Sequence, residues 1–491
     1  MNRTASQGRQ TLQQAVTLAQ ARKTVEAEAL CRTVIRAEPE NAEALHLLGS
    51  LRLNRGDATG AVQLIESAIR LRPDAALYHH NLGKALDILG QADAAVAAHR
   101  RAVAARDNNP DFWEALAIAE RDNKEMERAA ASFRRALALA PSRVPTLTRL
   151  GDLLQVTGDL PAAIACYREA IERYPNYAPA HNNLGNALQQ QGDFAAATAA
   201  HERALALAPE ETKYWLNLGV ARFSLGETAA ALEAFEACLR LAPFDRRAIA
   251  YRTAALAELG KLDADAALAE HRRWLTPLQL ETPPGWDSIE ALNRQLAKDL
   301  MAHRSLRWEP VGTATTGGAD ILLLLQHPTP AITAFAQTLR AAIDRYLAGL
   351  PVEPGHPFLD RRIQDYALDI WGTVLKAQGH QSAHIHPTGW MSGVYYVQMP
   401  ESLGAGGQGL DDSPGADHSG WIEFGRPPDS FRLTREPPVE LVRPKEGLAL
   451  FFPSYLYHRT IPFEGPTPRI SIAFDVRPPA GRHRGELHAG S

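Results

Sequence analysis

Cysteine is scarce: Cys31, Cys166 and Cys238 are the three in a chain of 491 residues. Their number is odd, and their spacing fits neither a disulfide framework nor a metal knuckle. A disulfide-stapled secreted scaffold is therefore excluded, and a reduced, cytoplasmic protein is expected. Long apolar runs are missing as well. The most apolar run is Ile321 to Leu325, against the roughly 20 residues a membrane-spanning helix needs. The first residues, Met1 to Gln7, lack the apolar core of a secretory leader. No membrane partner is expected. A charge excess is also lacking: 52 Lys and Arg face 56 Asp and Glu, a formal net charge of −4. That leaves no field to attract nucleic acid, which is excluded as a partner. The composition, 45% hydrophobic and 22% charged, is that of a globular protein. Its length exceeds what one hydrophobic core holds, so at least two domains are expected.

What the chain has in abundance is repetition. Gly49, Gly83, Gly151, Gly185 and Gly219 fall on one 34-residue series, with Ala117 in the skipped place. A second series runs Gly56, Gly90, Gly158, Gly192, Gly226 and Gly260, interrupted by Lys124. An alanine series, Ala27, Ala61, Ala95, Ala129, Ala163, Ala197 and Ala231, is unbroken. Prolines close the units at Pro39, Pro73, Pro141, Pro175, Pro209 and Pro243. Small residues at fixed places let paired helices approach, the second glycine suits a left-handed turn, and proline ends the second helix. One helix pair cannot cover its own apolar face, so the units stack. The pattern resembles the tetratricopeptide repeat over residues 8–275 and predicts an all-α superhelical solenoid of helix hairpins. Thr253 and Asp265 break the series in the last unit, as suits a cap. Asn81, Asn183 and Asn217 stand two before a first-series glycine. Amides there either satisfy local backbone or face a groove that takes a peptide, and the groove as a whole is expected to bind a protein or peptide partner. Cys31 and Cys238 sit at core places of second helices, as inert buried thiols.

Periodicity stops after Leu275. Residues 276–286, with Pro277, Pro283, Pro284 and Gly285, read as a linker. Two helices are expected at Ser288 to His303 and Ala331 to Leu347, and a short strand at Ile321 to Leu325. Short strands come next at Ala367 to Leu375, Ser392 to Val397, Trp421 to Phe424, Leu448 to Phe452 and Ile470 to Val476, which suggests a sandwich or jelly roll. The Gly-, Asp- and Ser-rich stretch 404–420 reads as a loop at its rim, and 479–491 as a tail in which His483 and His488 are incidental, like His418.

Chemistry concentrates in this second half. His384 and His386 are two apart on extended chain and point to one side. His458 comes after an apolar strand that can run beside them. Three imidazoles suit iron, zinc, copper or nickel alike. Arg469 and Ser471, also two apart, supply a guanidinium and a hydroxyl able to clamp a carboxylate.

Metal ligands beside a carboxylate clamp in a jelly roll resemble the 2-oxoglutarate- and iron(II)-dependent oxygenases, nearest to prolyl-hydroxylase-like members and to a bacterial group with His-x-His-Pro followed by Ser-Gly-Val-Tyr-Tyr. The resemblance implies a double-stranded β-helix over 287–478. It implies Fe(II) held by His384, His386 and His458, with no catalytic side chain beyond the metal site. Arg469 would bind the distal carboxylate of the cosubstrate 2-oxoglutarate, helped by Ser471 and the Tyr396 hydroxyl. Molecular oxygen would be consumed, succinate formed and a substrate hydroxylated. One residue departs: His386 stands where the family has Asp or Glu, unless Glu423 or His380 coordinates in its place. That departure leaves two alternatives, an interaction scaffold with an inactive oxygenase-like domain, or a three-histidine dioxygenase that needs no 2-oxoglutarate.

Overall fold

The computed structural model describes residues 2–262, 271–310, 313–322, 324–360, 363, 365–401, 403, 417–431 and 433–478. Asp265, residues 404–416 of the expected rim loop and the tail 479–491 with His483 and His488 lie outside them. The chain divides into two compact units, Met1–Ala208 and Pro209–Ser491.

The first unit is a run of helix hairpins. Its pairs are α1 (Asn2–Gln20) with α2 (Thr24–Ala37), α3 (Ala42–Asn54) with α4 (Ala58–Leu71), α5 (Ala76–Ile88) with α6 (Ala92–Ala105), α7 (Pro110–Asp122) with α8 (Met126–Leu139), α9 (Val144–Val156) with α10 (Leu160–Arg173), and α11 (Ala178–Gln191) with α12 (Phe194–Leu207). The first glycine series is a packing requirement. A Cβ at Gly83 would stand 2.5 Å from the His99 ring, and one at Gly185 2.5 Å from the His201 ring. Cys31, Ile65, His99, Phe133, Tyr167 and His201 form one fully buried column at the same repeat position, and the small residue opposite sets how closely the two helices approach. The second series is a conformational requirement. Gly56, Gly90, Gly158 and Gly192 have φ between 70° and 91°, and Lys124 and Arg22, which replace glycine, take φ of 62° and 60°. The turn is left-handed whatever residue occupies it.

The second unit begins with three more solenoid helices, α13 (Thr212–Ser224), α14 (Thr228–Leu241) and α15 (Arg246–Glu258). They share a core with the β-structure: Ile249, Leu256 and Leu262 belong to the same buried cluster as the strands. The strands are β1 (Thr276–Gln279), β2 (Leu306–Trp308), β3 (Thr315–Ile321), β4 (Ala367–Gln381), β5 (Met391–Gln398), β6 (Ile422–Phe424), β7 (Glu440–Val442), β8 (Leu448–Pro453), β9 (His458–Thr460) and β10 (Arg469–Arg477). A seven-stranded sheet has the order β1-β8-β5-β10-β4-β3-β2, and a three-stranded sheet the order β7-β6-β9. The pairings within both sheets are antiparallel, as in a jelly roll. The expected helices are present at Ile289–Met301 and Pro330–Gly349, capped by Ser288 and Thr329. Phe335 packs on Tyr395 at a ring separation of 4.8 Å, and the Tyr395 hydroxyl donates to Asn293 at 2.7 Å. The helices therefore cover the Tyr395 face of the large sheet, and Tyr396, next in sequence, faces the other way.

Two expectations are corrected. The expected linker starts as a strand, because Thr276 to Gln279 pair with Phe451 to Leu448. Pro277 is tolerated at this edge position. The strand expected at Ile321 to Leu325 lies earlier, at Thr315–Ile321, and the chain turns into a single 3-10 turn at Leu324–Gln326. Its pairing with β4 ends at Ile321. Beyond that point no partner strand is found among the described residues, and Leu322 and Leu325 are exposed.

Candidate functional site

The three histidines come together at one end of the β-structure. His384 and His458 form a two-way backbone bridge, N to O at 3.1 Å in each direction, and the amide of His386 donates to the Ser454 carbonyl at 3.0 Å. The His-x-His segment is thus extended chain held by isolated bonds rather than a regular strand. Its rings still converge. Centroid separations are 4.3 Å for His384 and His458, 5.0 Å for His386 and His458, and 5.2 Å for His384 and His386. One nitrogen from each lies within 4.8 Å of the others.

Each ring is oriented by its Nδ1. His384 Nδ1 is 2.7 Å from the Ser382 carbonyl, His458 Nδ1 is 3.1 Å from the Leu456 carbonyl, and His386 Nδ1 is 2.7 Å from Asp475 Oδ1. Carbonyls and a carboxylate accept, so the proton belongs on Nδ1 and each Nε2 keeps its lone pair. Burial also favours the neutral form of His384 and His458. It pushes His384 down to about 4, aided by the nearby His386, and lowers His458 well below the usual imidazole value. The three converging nitrogens could hold a metal ion.

The inner face of the large sheet leads away from this cluster. On β10 the alternation places Arg469, Ser471, Ala473 and Asp475 on one side. Their partners across the sheet are Leu375, Thr373, Trp371 and Asp369 on β4, with Tyr396 opposite Ser471 and Ser392 opposite Asp475 on β5. Asp475 stands at the histidine end and Arg469 at the other. Trp371 lies 5.3 Å from the His386 ring and is partly exposed.

Arg469 is 2% exposed. Its Nη1 donates to Thr460 Oγ1 at 2.5 Å, and its Nε has no hydrogen-bond partner. The Tyr396 ring stands 5.3 Å from its Cζ, and the buried Tyr396 hydroxyl interacts with the guanidinium. Burial lowers the guanidinium's affinity for its proton, opposed by Tyr396. Among the described residues no carboxylate pairs with it. A buried cation so placed calls for an anion. Ser471 is buried on the same face, as the i, i+2 spacing predicts.

Glu423 does not join the histidines. It is held by Arg426 at 2.5 Å and Arg459 at 3.0 Å and sits opposite Arg459 on β6, while its neighbour Phe424 pairs with His458. Glu423 therefore points away from the cluster. His380 lies on β4, its Nδ1 3.3 Å from the Gln378 carbonyl, outside the cluster. Sequence reasoning missed Thr460, Trp371, Ser392 and Asp475. Thr460 was accessible from its spacing, two after His458. Asp475, six after Arg469, falls on the same strand face, but nothing local marks it as a partner of His386.

The groove candidates are engaged locally. Asn81 Nδ2 lies 2.8 Å from His46 Nε2 and donates to Ser50 Oγ at 3.1 Å, and Asn183 Nδ2 donates to Asp152 at 2.8 Å. Asp152, Gln155, Val156, Asn183, Asn186 and Gln190 line an open concavity of about 350 Å³ in the first unit. Asn217, in the second unit, is half-buried on α13. The cysteines are unbridged, with Cys31 and Cys238 buried. Among the described residues no helix is long and apolar enough to cross a membrane.

Family models match both halves. Residues 18–85, 80–144, 142–210 and 184–258 each match a model described as "Tetratricopeptide repeat". Residues 369–475 match one described as "Putative 2OG-Fe(II) oxygenase". No curated protein matches the chain. Solved structures with similarity include MamA, 22% identical over 34% of this chain and 98% of that one, at a TM-score of 0.32. YrrB, described as a TPR protein with an unusual peptide-binding site, is 18% identical over 38% and 95%, at 0.34. The C-terminal part of a TPR repeat-containing protein from Cytophaga hutchinsonii is 16% identical over 49% and 98%, at 0.43. The matches thus put tetratricopeptide repeats N-terminal to a domain of the 2OG-Fe(II) oxygenase type, and that domain holds all three histidines and Arg469.

Proposed function

We infer that the second unit is a 2-oxoglutarate- and iron(II)-dependent dioxygenase acting as a hydroxylase. The observation that carries this reading is Arg469: a buried guanidinium without a carboxylate partner among the described residues, on the inner face that leads to three converging imidazoles. Spacing supports it. His458 and Thr460 are neighbours on one face of β9, about 7 Å apart along the strand, and Thr460 is the residue Arg469 holds. The distance between metal ligand and guanidinium suits a short dicarboxylate. An inactive scaffold, or a dioxygenase without cosubstrate, has no use for a buried cation there.

His384, His386 and His458 would hold Fe(II), whose chemistry when bound is the activation of oxygen at a site shared with the cosubstrate. Arg469 would take the distal carboxylate of 2-oxoglutarate through its free Nε–H, with the Tyr396 and Ser471 hydroxyls donating beside it. Phe424 and Phe452, packed on His458 at 5.9 and 4.8 Å, keep water from that side. The partly exposed Trp371 side is the approach left for a substrate. The repeats would bring a protein or peptide partner, using the concavity around Asn183 and the corresponding places at Asn81 and Asn217. The unbridged thiols suit the reducing cytoplasm.

The test is turnover of isotopically labelled 2-oxoglutarate by the full chain with Fe(II) and oxygen, with and without cell extract. Wild type is expected to release labelled succinate, more with extract, and His458→Ala none. Equal release by the two proteins, or none by either under every condition, overturns the reading.

A further inference from the structure

Asp475 is a buried carboxylate that the histidines and the arginine do not account for. It stands on β10 with 7% of its surface exposed. One oxygen, Oδ1, accepts from His386 Nδ1 at 2.7 Å and from Ser392 Oγ at 2.6 Å, and Ser392 Oγ lies 2.9 Å from Ser454 Oγ. The turn after His386 is shaped around this contact. A Cβ on Gly389 would fall 2.5 Å from Ser454 Oγ and 3.2 Å from Asp475 Cγ. The strand neighbour of like chemistry, Asp369, is paired to Arg477, while Asp475 holds His386 and Ser392.

We propose that Asp475 is the carboxylate of the metal centre, displaced by one shell: a positioning residue that holds His386 through Nδ1 and returns the negative charge that a histidine at that place omits. Three neutral imidazoles leave a divalent ion one unit more positive than two imidazoles and a carboxylate do. Asp475, one hydrogen bond behind His386, offsets that unit and fixes the ring with Nε2 toward the metal position. His386 and Asp475 act as a pair, and substitution at one place is matched only by substitution at the other. In particular, a carboxylate introduced at position 386 would face the Asp475 carboxylate inside the fold, and like charges so placed oppose each other.

This inference rests on the metal-centre reading above, and its test separates the two. Co(II) alone is titrated into the metal-free full chain without 2-oxoglutarate and followed by its visible absorption bands and by calorimetry. Wild type, His458→Ala, Asp475→Asn, His386→Asp and the double variant His386→Asp/Asp475→Asn are compared. Wild type is expected to bind and His458→Ala to lose binding. Equal binding by these two overturns the metal-centre reading itself. Asp475→Asn is expected to weaken Co(II) about 10- to 100-fold. His386→Asp is expected to weaken it as well, and the double variant to recover at least about tenfold over His386→Asp. The same Asp475→Asn change thus harms one background and helps the other, which a merely structural aspartate would not do. If wild type binds and Asp475→Asn binds as tightly, Asp475 has no such role. Should Asp475→Asn not fold, His386→Asp still decides: Co(II) binding equal to or tighter than wild type overturns the pairing.

Discussion

Arg469→Met asks a buried charge to declare its purpose. The side chain is 2% exposed, with a hydrogen bond to Thr460 and the Tyr396 ring at 5.3 Å. Methionine fills similar space without charge. Replacing a buried ion by an apolar residue of similar volume stabilises by about 1–4 kcal/mol. Leaving the Thr460 hydroxyl without its donor gives back about 1 kcal/mol. A net gain of about 0–3 kcal/mol in the ligand-free protein results, or up to a few degrees in the melting temperature of a unit this size. The cost falls on the cosubstrate. Losing one partner of a buried charge pair costs about 2–5 kcal/mol, which is about 30-fold to a few thousand-fold in 2-oxoglutarate affinity. Melting curves of both proteins, with a redox-inert divalent metal and rising 2-oxoglutarate, read both quantities at once. Wild type is expected to gain about 2.7 kcal/mol at a hundred times its dissociation constant, and the variant to start no lower and stay flat. A variant that starts lower and shifts in parallel with wild type would show Arg469 to be structural and would refute the argument.

Packing and burial set three further expectations. His201 is fully buried with neither ring nitrogen hydrogen-bonded, and burial pushes it down to about 4 against about 6.5 in the unfolded chain. Its neutral form is thus favoured in the fold, and its contribution, complete above about pH 6.5, is lost as pH falls toward 4, about 2 kcal/mol by pH 5. His201→Phe, which reproduces the pairing of Phe235 with Gly219, should reduce the shift in urea midpoint between pH 7 and pH 5; an unchanged shift refutes the assignment. Lys124→Gly places glycine at a φ of 62° and should raise stability by about 0.5–1 kcal/mol, measured as a higher urea midpoint. Phe431, on the connection between β6 and β7, packs on Tyr251, Phe223 and Tyr457 at 5.2, 5.4 and 5.8 Å. Phe431→Ala should destabilise the second unit by about 2 kcal/mol and speed proteolysis near α15, while the first unit's hydrogen exchange stays unchanged.

Phe431 also explains why residues 1–275 do not make a clean truncation. Glu258 on α15 accepts from the amides of Thr434 and Arg435 at 2.9 and 3.2 Å, and Arg246 donates from Nε to the Gly389 carbonyl at 3.1 Å, three residues from His386. The last repeats belong to the unit that carries the histidines. Point variants in the groove around Asn183, rather than deletion, are the proper probe of partner binding.

Periodicity determined the solenoid. A 34-residue repeat of glycine, alanine and proline needs no tertiary information, since each requirement is met within one hairpin, and even Lys124 and Arg22 obey the turn that glycine marks elsewhere. The i, i+2 rule likewise paired His384 with His386 and Arg469 with Ser471, because strand alternation is local. Only the tertiary structure decided that His458 bridges His384, that Glu423 turns to Arg426 and Arg459, that residues 276–279 close the edge of the sheet, and that Asp475 lies behind His386. Apart from the local Glu423–Arg426 pair, those contacts join positions 36 to 175 residues apart, and their partners are set by strand order and register. Residue type at one position does not carry that information: a carboxylate absent from the expected place in the chain is found, in the fold, one hydrogen bond away.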